Sequence, residues 1–287
     1  MASKPYPVGD EKKFNKFLVE EYLKAGSVDE VFAKFKQDLP ISYAGYQRVL
    51  DKKEIVKAAG PNNRLGEALD FITKLVYENI PFEKLYKMMP LSFKTSAASL
   101  YRILAYIKEG VTRRTAAALI ITKKGKKGDV LVAKDISTPR IELGKDFGLV
   151  TIPMGFSRRG DLRREAVLRI LQSEVFAKLA VEGKNLGKLI PKDIKPFMYL
   201  DIVDVRVEVY HLEISKKDLH SLNFSSFKLK NFHFVGTKKL ESAKNLRVGV
   251  REAVEGYEKY IHLTGRKLTH NPIQSTAKLN AKLLVEE

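Results

Sequence analysis

Between Pro153 and Ala177 the chain gathers residue types that act on phosphates. Gly155 opens a loop, Arg158, Arg159 and Arg163 bring positive charge, and Asp161, Glu165 and Glu174 bring carboxylates. Arginines along such a loop can hold the phosphates of a nucleic acid. The elements that must position them follow from the same stretch. Leu149 to Ile152 reads as a short strand, which Pro153 and Gly155 break, and Gly160-Asp161 offers a turn and a helix start. Ala166, Leu168, Leu171, Val175 and Leu179 then recur at helical intervals. Strand, glycine loop and helix can set a loop and a helix face beside a ligand. The same pattern also suits an ordinary amphipathic helix after a turn.

The spacing resembles the box of the Nudix hydrolases, which runs Gly, five residues, Glu, seven residues, Arg-Glu, a bulky apolar residue, any residue, Glu-Glu, any residue, Gly. Gly155, Asp161 and Arg169 keep that spacing, and Glu165-Ala166 stands where such boxes often carry Glu-Ala. Three positions depart from it: Ile170 replaces the Glu after the Arg, Ser173 the first of the Glu pair, and Phe176 the closing Gly. The resemblance implies a Nudix-like fold over about residues 114–263. It also implies that only Glu174 remains of the three helix carboxylates that hold the family's divalent metal. One Glu beside an Ile and a Ser is a poor octahedral site, and without metal little stabilises charge on a pyrophosphate under attack. The expectation is therefore a Nudix-like domain without catalysis, without a metal and without a cofactor. The hydrolase alternative requires Glu174 to work with carboxylates such as Asp161, Glu165 or Asp204. The order of elements also permits a repeated β-rich nucleic-acid-binding fold with a helix closing each repeat.

Charge points to a polyanionic partner. The 287 residues hold 52 Lys+Arg against 34 Asp+Glu, a formal net charge of +18, a surplus that favours nucleic acid through counterion release. It is uneven, with 19 basic and 14 acidic residues over 1–113 and 33 and 20 over 114–287. A solvated, solubility-promoting surface is the simpler account of the same numbers. The absence of Cys removes disulfides, thiol nucleophiles and Cys-based zinc sites. No apolar run has the length of a membrane span, and the N-terminus shows no signal-peptide core. A cytoplasmic protein with no membrane partner is expected.

Residues 1–12 read as a flexible arm. Residues 13–112 read as a helical domain in two passes, with stops at Gly26 and Gly110 and a cap at Ser27. Pro40-Ile41-Ser42 followed by Tyr46-Gln47-Arg48 echoes Pro90-Leu91-Ser92 followed by Leu100-Tyr101-Arg102. Short helix, tight turn and helix resemble tandem helix-turn-helix units. Lys94, Ser96, Ser99 and Arg102 then become candidates for contact with bases or phosphates, although a structural helical bundle shows the same pattern.

From Ala116 the period changes to that of strands. Lys123, Lys124, Lys126 and Lys127 crowd a hairpin turn with Gly125 and Gly128, which either lies against phosphates or is a solvated tip. Met198 to Ile214 reads as a long strand or a pair of strands. Lys228 and Lys230 sit among Phe224, Phe227, Phe232 and Phe234. Exposed, these rings would stack unpaired bases; buried, they are the core face of a strand. A helix over Leu246–Leu263 and a tail over 264–287 complete the chain. Asp201, Asp204 and Glu208 could turn carboxylates towards the box or lie on a solvated strand face. The fold class is α+β, an all-helical N-terminal domain followed by a basic Nudix-like α/β domain with a mixed sheet at 114–263. The function expected is nucleic-acid binding by a DNA-binding regulator, with an RNA- or single-strand-binding protein as the alternative.

Overall fold

The structure is a computed structural model that describes residues 5–7, 9–36, 38–56, 114–139, 144–157, 161–215, 218, 223–265 and 271–283. The candidate contact residues Lys94, Ser96, Ser99, Arg102, Arg158 and Arg159 lie outside the described residues, as does the second helical pass.

The N-terminal part is helical, with its helix ends written in the sequence. Asp10 accepts from the Lys13 N–H at 2.9 Å at the start of α1 (Glu11–Ala25), and Gly26 ends that helix at φ +97°, a conformation open to a residue without Cβ. Ser27 accepts from the Glu30 N–H at 3.1 Å to start α2 (Val28–Lys34), and Ser42 caps α3 (Tyr43–Lys52). Tyr46 is fully buried and donates its hydroxyl to the Leu18 carbonyl at 2.6 Å, which fixes α3 against α1.

The α/β part is built on one mixed sheet. Its strands are β1 (Arg114–Lys123), β2 (Lys126–Asp135), β3 (Val150–Thr151), β4 (Met154–Ser157), β5 (Met198–Ile202), β6 (Val205–Ile214), β7 (Leu229–Gly236) and β8 (Ile273–Thr276). They run in the order β3-β2-β1-β6-β5-β8, with β4 on β1 and β7 on β2. β1 pairs β2 and β4 antiparallel and β6 parallel, so the sheet is mixed. The Met198–Ile214 stretch is a hairpin, β5 and β6, turned at Val203-Asp204.

Side chains of β1 alternate between two apolar clusters. Ala117, Leu119 and Ile121 pack with the N-terminal helices and the helix that follows β4, whereas Ala116, Ala118 and Ile120 pack with the long helix Val250–Gly265. A strand covered on both faces has no solvated side, which is why Ala116 to Ile121 is one unbroken apolar run. Leu18, Val31, Tyr46 and Leu50 share a cluster with Leu119, Ile170 and Tyr210, so α1 to α3 close one face of the sheet. The residues read as a C-terminal tail carry β8, which pairs β5 in parallel, and the short helix Lys278–Leu283. Buried Asn280 accepts from the Val203 N–H at 2.6 Å and donates to the Val203 carbonyl at 3.2 Å, holding that segment on the sheet. Among the described residues no helix is long and apolar enough to cross a membrane.

Candidate functional site

The strand, glycine loop and helix unit is present as β4, a loop, and α4 (Arg163–Ile170). Glu165 reaches back to accept from the Leu162 N–H at 3.2 Å, which closes the first turn of α4. β4 lies close against this helix: a Cβ on Gly155 would stand 3.2 Å from Ile170 Cδ1. α4 runs into a π-turn over Leu171–Val175, with the Phe176 N–H bonded to the Leu171 carbonyl at 2.8 Å. Such turns add a residue to the helical repeat and are frequent at functional sites. Phe176, which takes the place of the motif's closing Gly, has φ −131° and is fully buried. Its ring stacks on Phe224 at 5.6 Å, and α5 (Ala177–Val181) follows it.

Two residues of the expected motif are held together. The Arg169 guanidinium meets the Asp161 carboxylate at 2.6 Å, nearly out of contact with water at both ends. Glu174 is buried and faces Lys228, with Oε1 and Nζ 3.9 Å apart. Both line a cavity of about 150 Å³ between α4 with its π-turn and the helical layer, bounded also by Tyr22, Gly155, Phe156 and Gln172. Burial pushes the Glu174 carboxyl above the usual carboxylate range, against the opposing pull of Lys228 and Lys145.

A further buried group of charges stands behind Glu174. Asp135, at the end of β2, lies 3.8 Å from Lys145 Nζ and 3.5 Å from Arg247 Nη1. Burial, and then the neighbouring Arg247, push the Lys145 ammonium down to about 8. Its field and that of Arg247 both reach Glu174. Lys228, Lys145 and Arg247 thus outnumber Glu174 and Asp135 by one positive charge. The sequence pattern does not mark Lys145, Arg247, Asp135 or Gln172, because Asp135 meets Lys145 and Arg247, and Gln172 meets Glu54 and Val56, only through the fold.

The remaining candidates separate. Lys124, Lys126 and Lys127 are exposed at the β1–β2 turn, and Lys123 Nζ lies over the Phe234 ring at 4.4 Å from its centroid. Arg163 and Lys230 are exposed, well apart in sequence on α4 and β7. Of the two accounts of the phenylalanine segment, the structure shows the packed one: Phe224, Phe227, Phe232 and Phe234 all lie against the core cluster. Asp204 is buried and bound by both ends of the Arg114 guanidinium, with Nε 3.0 Å from Oδ2. Asp201 is held by Arg206 at 2.9 Å, and Glu208 accepts from the Tyr210 hydroxyl. His211 Nε2 is hydrogen-bonded with Thr122 Oγ1 at 2.9 Å and lies 3.2 Å from the Tyr257 hydroxyl; burial, with Lys127 adding to it, lowers its pKa to about 4.

A divalent metal of the kind the Nudix resemblance implies does not fit this donor set. Ile170 is core, Asp161 is taken by Arg169, Glu165 caps its own helix and Asp204 is bound to Arg114, so none of these positions offers Glu174 a second carboxylate. Among the described residues no group of three or more His, Cys, Asp or Glu side chains could hold a metal ion.

Against solved structures, the chain is similar to a Nudix hydrolase from Nitrosomonas europaea, with 10% identity over 57% of this chain and 78% of that one and a TM-score of 0.36. A Nudix-family hydrolase from Clostridium perfringens shows 15% identity over 52% and 99%, with a TM-score of 0.33. The Nudix domain of Shewanella oneidensis NrtR, complexed with ADP-ribose, shows 12% identity over 58% and 99%, with a TM-score of 0.36. No family model and no curated protein matches the sequence. The expectation that the chain is not an enzyme is corrected by these comparisons, since the structures it resembles include hydrolases. That expectation rested on the loss of metal ligands alone, and Glu174 is nonetheless held on a cavity wall beside a cation.

Proposed function

We propose that this chain is a Nudix-type hydrolase of nucleotide phosphoanhydrides, with the cavity between the π-turn and the helical layer as its ligand site. The observation that carries it is Glu174, buried on the cavity wall, its pKa raised, 3.9 Å from Lys228. A carboxyl shifted towards neutrality accepts and returns a proton efficiently. A neighbouring ammonium attracts the phosphate oxygens on which charge develops. Arg169, locked by Asp161, stiffens α4 and so fixes the direction of Glu174 one turn later.

Turnover of a panel of nucleoside diphosphate derivatives tests this, run with and without Mg²⁺ or Mn²⁺. Wild type is expected to release product, and Glu174→Gln to lose at least about a hundredfold in kcat, the usual contribution of a positioned acid or base. Equal rates in the two proteins would refute the assignment.

Nucleic-acid binding is a second reading, supported by the exposed Lys124, Lys126 and Lys127 on a chain of net charge +18. Duplex DNA remains slightly preferred over RNA or single strands as partner. Replacing Lys123, Lys124, Lys126 and Lys127 by Gln is expected to weaken binding to every sequence alike and to flatten the log–log salt slope by about 0.7 to 0.9 for each phosphate no longer neutralised. An unchanged slope would place the phosphate-binding surface elsewhere.

A further inference from the structure

The charge balance around Glu174 is the reverse of what a divalent cation needs. A magnesium ion is bound by carboxylates whose charge exceeds its repulsion from nearby cations. Here the carboxylates at hand are Glu174 and, behind it, Asp135, against Lys228, Lys145 and Arg247. Ile170, where the motif has a Glu, packs against Gly155. Ser173, where it has another, turns its hydroxyl to the Arg169 carbonyl at 2.9 Å. A doubly charged ion placed beside Glu174 would meet the positive charges of Lys228, Lys145 and Arg247 against two carboxylates, one of which, Asp135, is already held by Lys145 and Arg247. A phosphate placed there would meet the opposite field.

We propose that the Lys228 ammonium is the resident cation of this site, so that the cavity takes a nucleotide's phosphates directly and without a divalent metal. The inference rests on the cavity being the ligand site proposed above. Lys228 stands immediately before β7, anchored where the Ser226 hydroxyl accepts from the N–H groups of Lys228 and Leu229 at 3.0 and 3.1 Å. The same hydroxyl donates to the Ser173 carbonyl at 3.1 Å, tying this strand end to the π-turn that carries Glu174. The cation is therefore positioned by backbone on one side and by the box helix on the other. Its side chain is 29% exposed, open enough to reach a ligand yet partly desolvated, which strengthens its interaction with an anion.

Isothermal titration of the full chain with ADP tests this, in excess Mg²⁺ and in EDTA, for wild type, Lys228→Met and Lys228→Arg. The expected result is the same affinity in Mg²⁺ and EDTA, about a tenfold loss in Lys228→Met, the value of one charge-assisted hydrogen bond, and affinity retained in Lys228→Arg. Thermal melts of the three proteins separate lost binding from lost folding. Weak binding by a folded Lys228→Met that Arg restores supports the proposal even if the melting points differ. Binding only in Mg²⁺, or undiminished binding by Lys228→Met, overturns it while leaving the cavity as ligand site. No binding in either buffer overturns both readings.

Discussion

The Gln172 side chain clasps the backbone where the described N-terminal layer ends: its Oε1 accepts from the Val56 N–H at 2.9 Å and its Nε2 donates to the Glu54 carbonyl at 2.6 Å. Gln172 belongs to the π-turn and also lines the cavity, two residues before Glu174. One buried amide therefore joins the candidate site to the helical layer. It satisfies two main-chain groups that would otherwise lose water without replacement.

Gln172→Ala is expected to cost about 1 to 3 kcal/mol, the penalty of leaving such groups unpaired. Gln172→Glu keeps the shape but offers no donor to Glu54, so it should recover little of that loss. Urea denaturation gives the stability change, and amide exchange at Val56 should quicken in both variants. Unaltered exchange there would mean that the clasp is incidental.

Phe176→Gly restores the motif's glycine and is expected to destabilise the protein by about 3 to 5 kcal/mol, as for other fully buried aromatic truncations. The residue is fully buried, stacks on Phe224, and has a negative φ that makes no demand for glycine. Its flanking backbone also pairs with Ser225, through the Ala177 N–H at 2.8 Å and the Val175 carbonyl at 2.8 Å. A variant as stable as wild type would show that this end of the helix is held by the turn alone.

His211 gives the fold a pH dependence of known sign. Its folded pKa of about 4 lies below the ordinary 6.5, so between those values the folded state binds fewer protons than the unfolded chain. Stability from this group is complete above about pH 6.5 and falls as pH drops through the window towards 4, by on the order of 3 kcal/mol. The cause is burial among Thr122, Tyr257 and Tyr260, with Lys127 the charged neighbour that adds to it. His211→Gln keeps a hydrogen-bonding partner for the hydroxyls and does not titrate. Its unfolding free energy should fall less steeply than wild type between pH 6.5 and 4, and parallel curves would exclude His211 as the source.

Much of the local architecture was legible in the amino-acid order because short-range chemistry fixes it. Ser27 and Gly26 mark helix ends through their own hydrogen bonding and backbone freedom. The apolar run Ala116–Ile121 reports a strand covered on both faces, and Gly155, Asp161 and Arg169 keep a spacing that places a loop before a helix. Tertiary structure alone decided what those elements do. Asp161 could have been a ligand until Arg169 was seen to occupy it, and Asp204 until Arg114 did. Residues 264–287 carry no strong period, and only pairing with β5 makes β8 a strand. The charges around Glu174 come from residues 135, 145, 228 and 247, spread over more than a hundred positions. Periodicity acts over a few residues, whereas a carboxyl's pKa and a cavity's charge depend on whatever distant side chains the packed sheet and helices bring within a few ångströms.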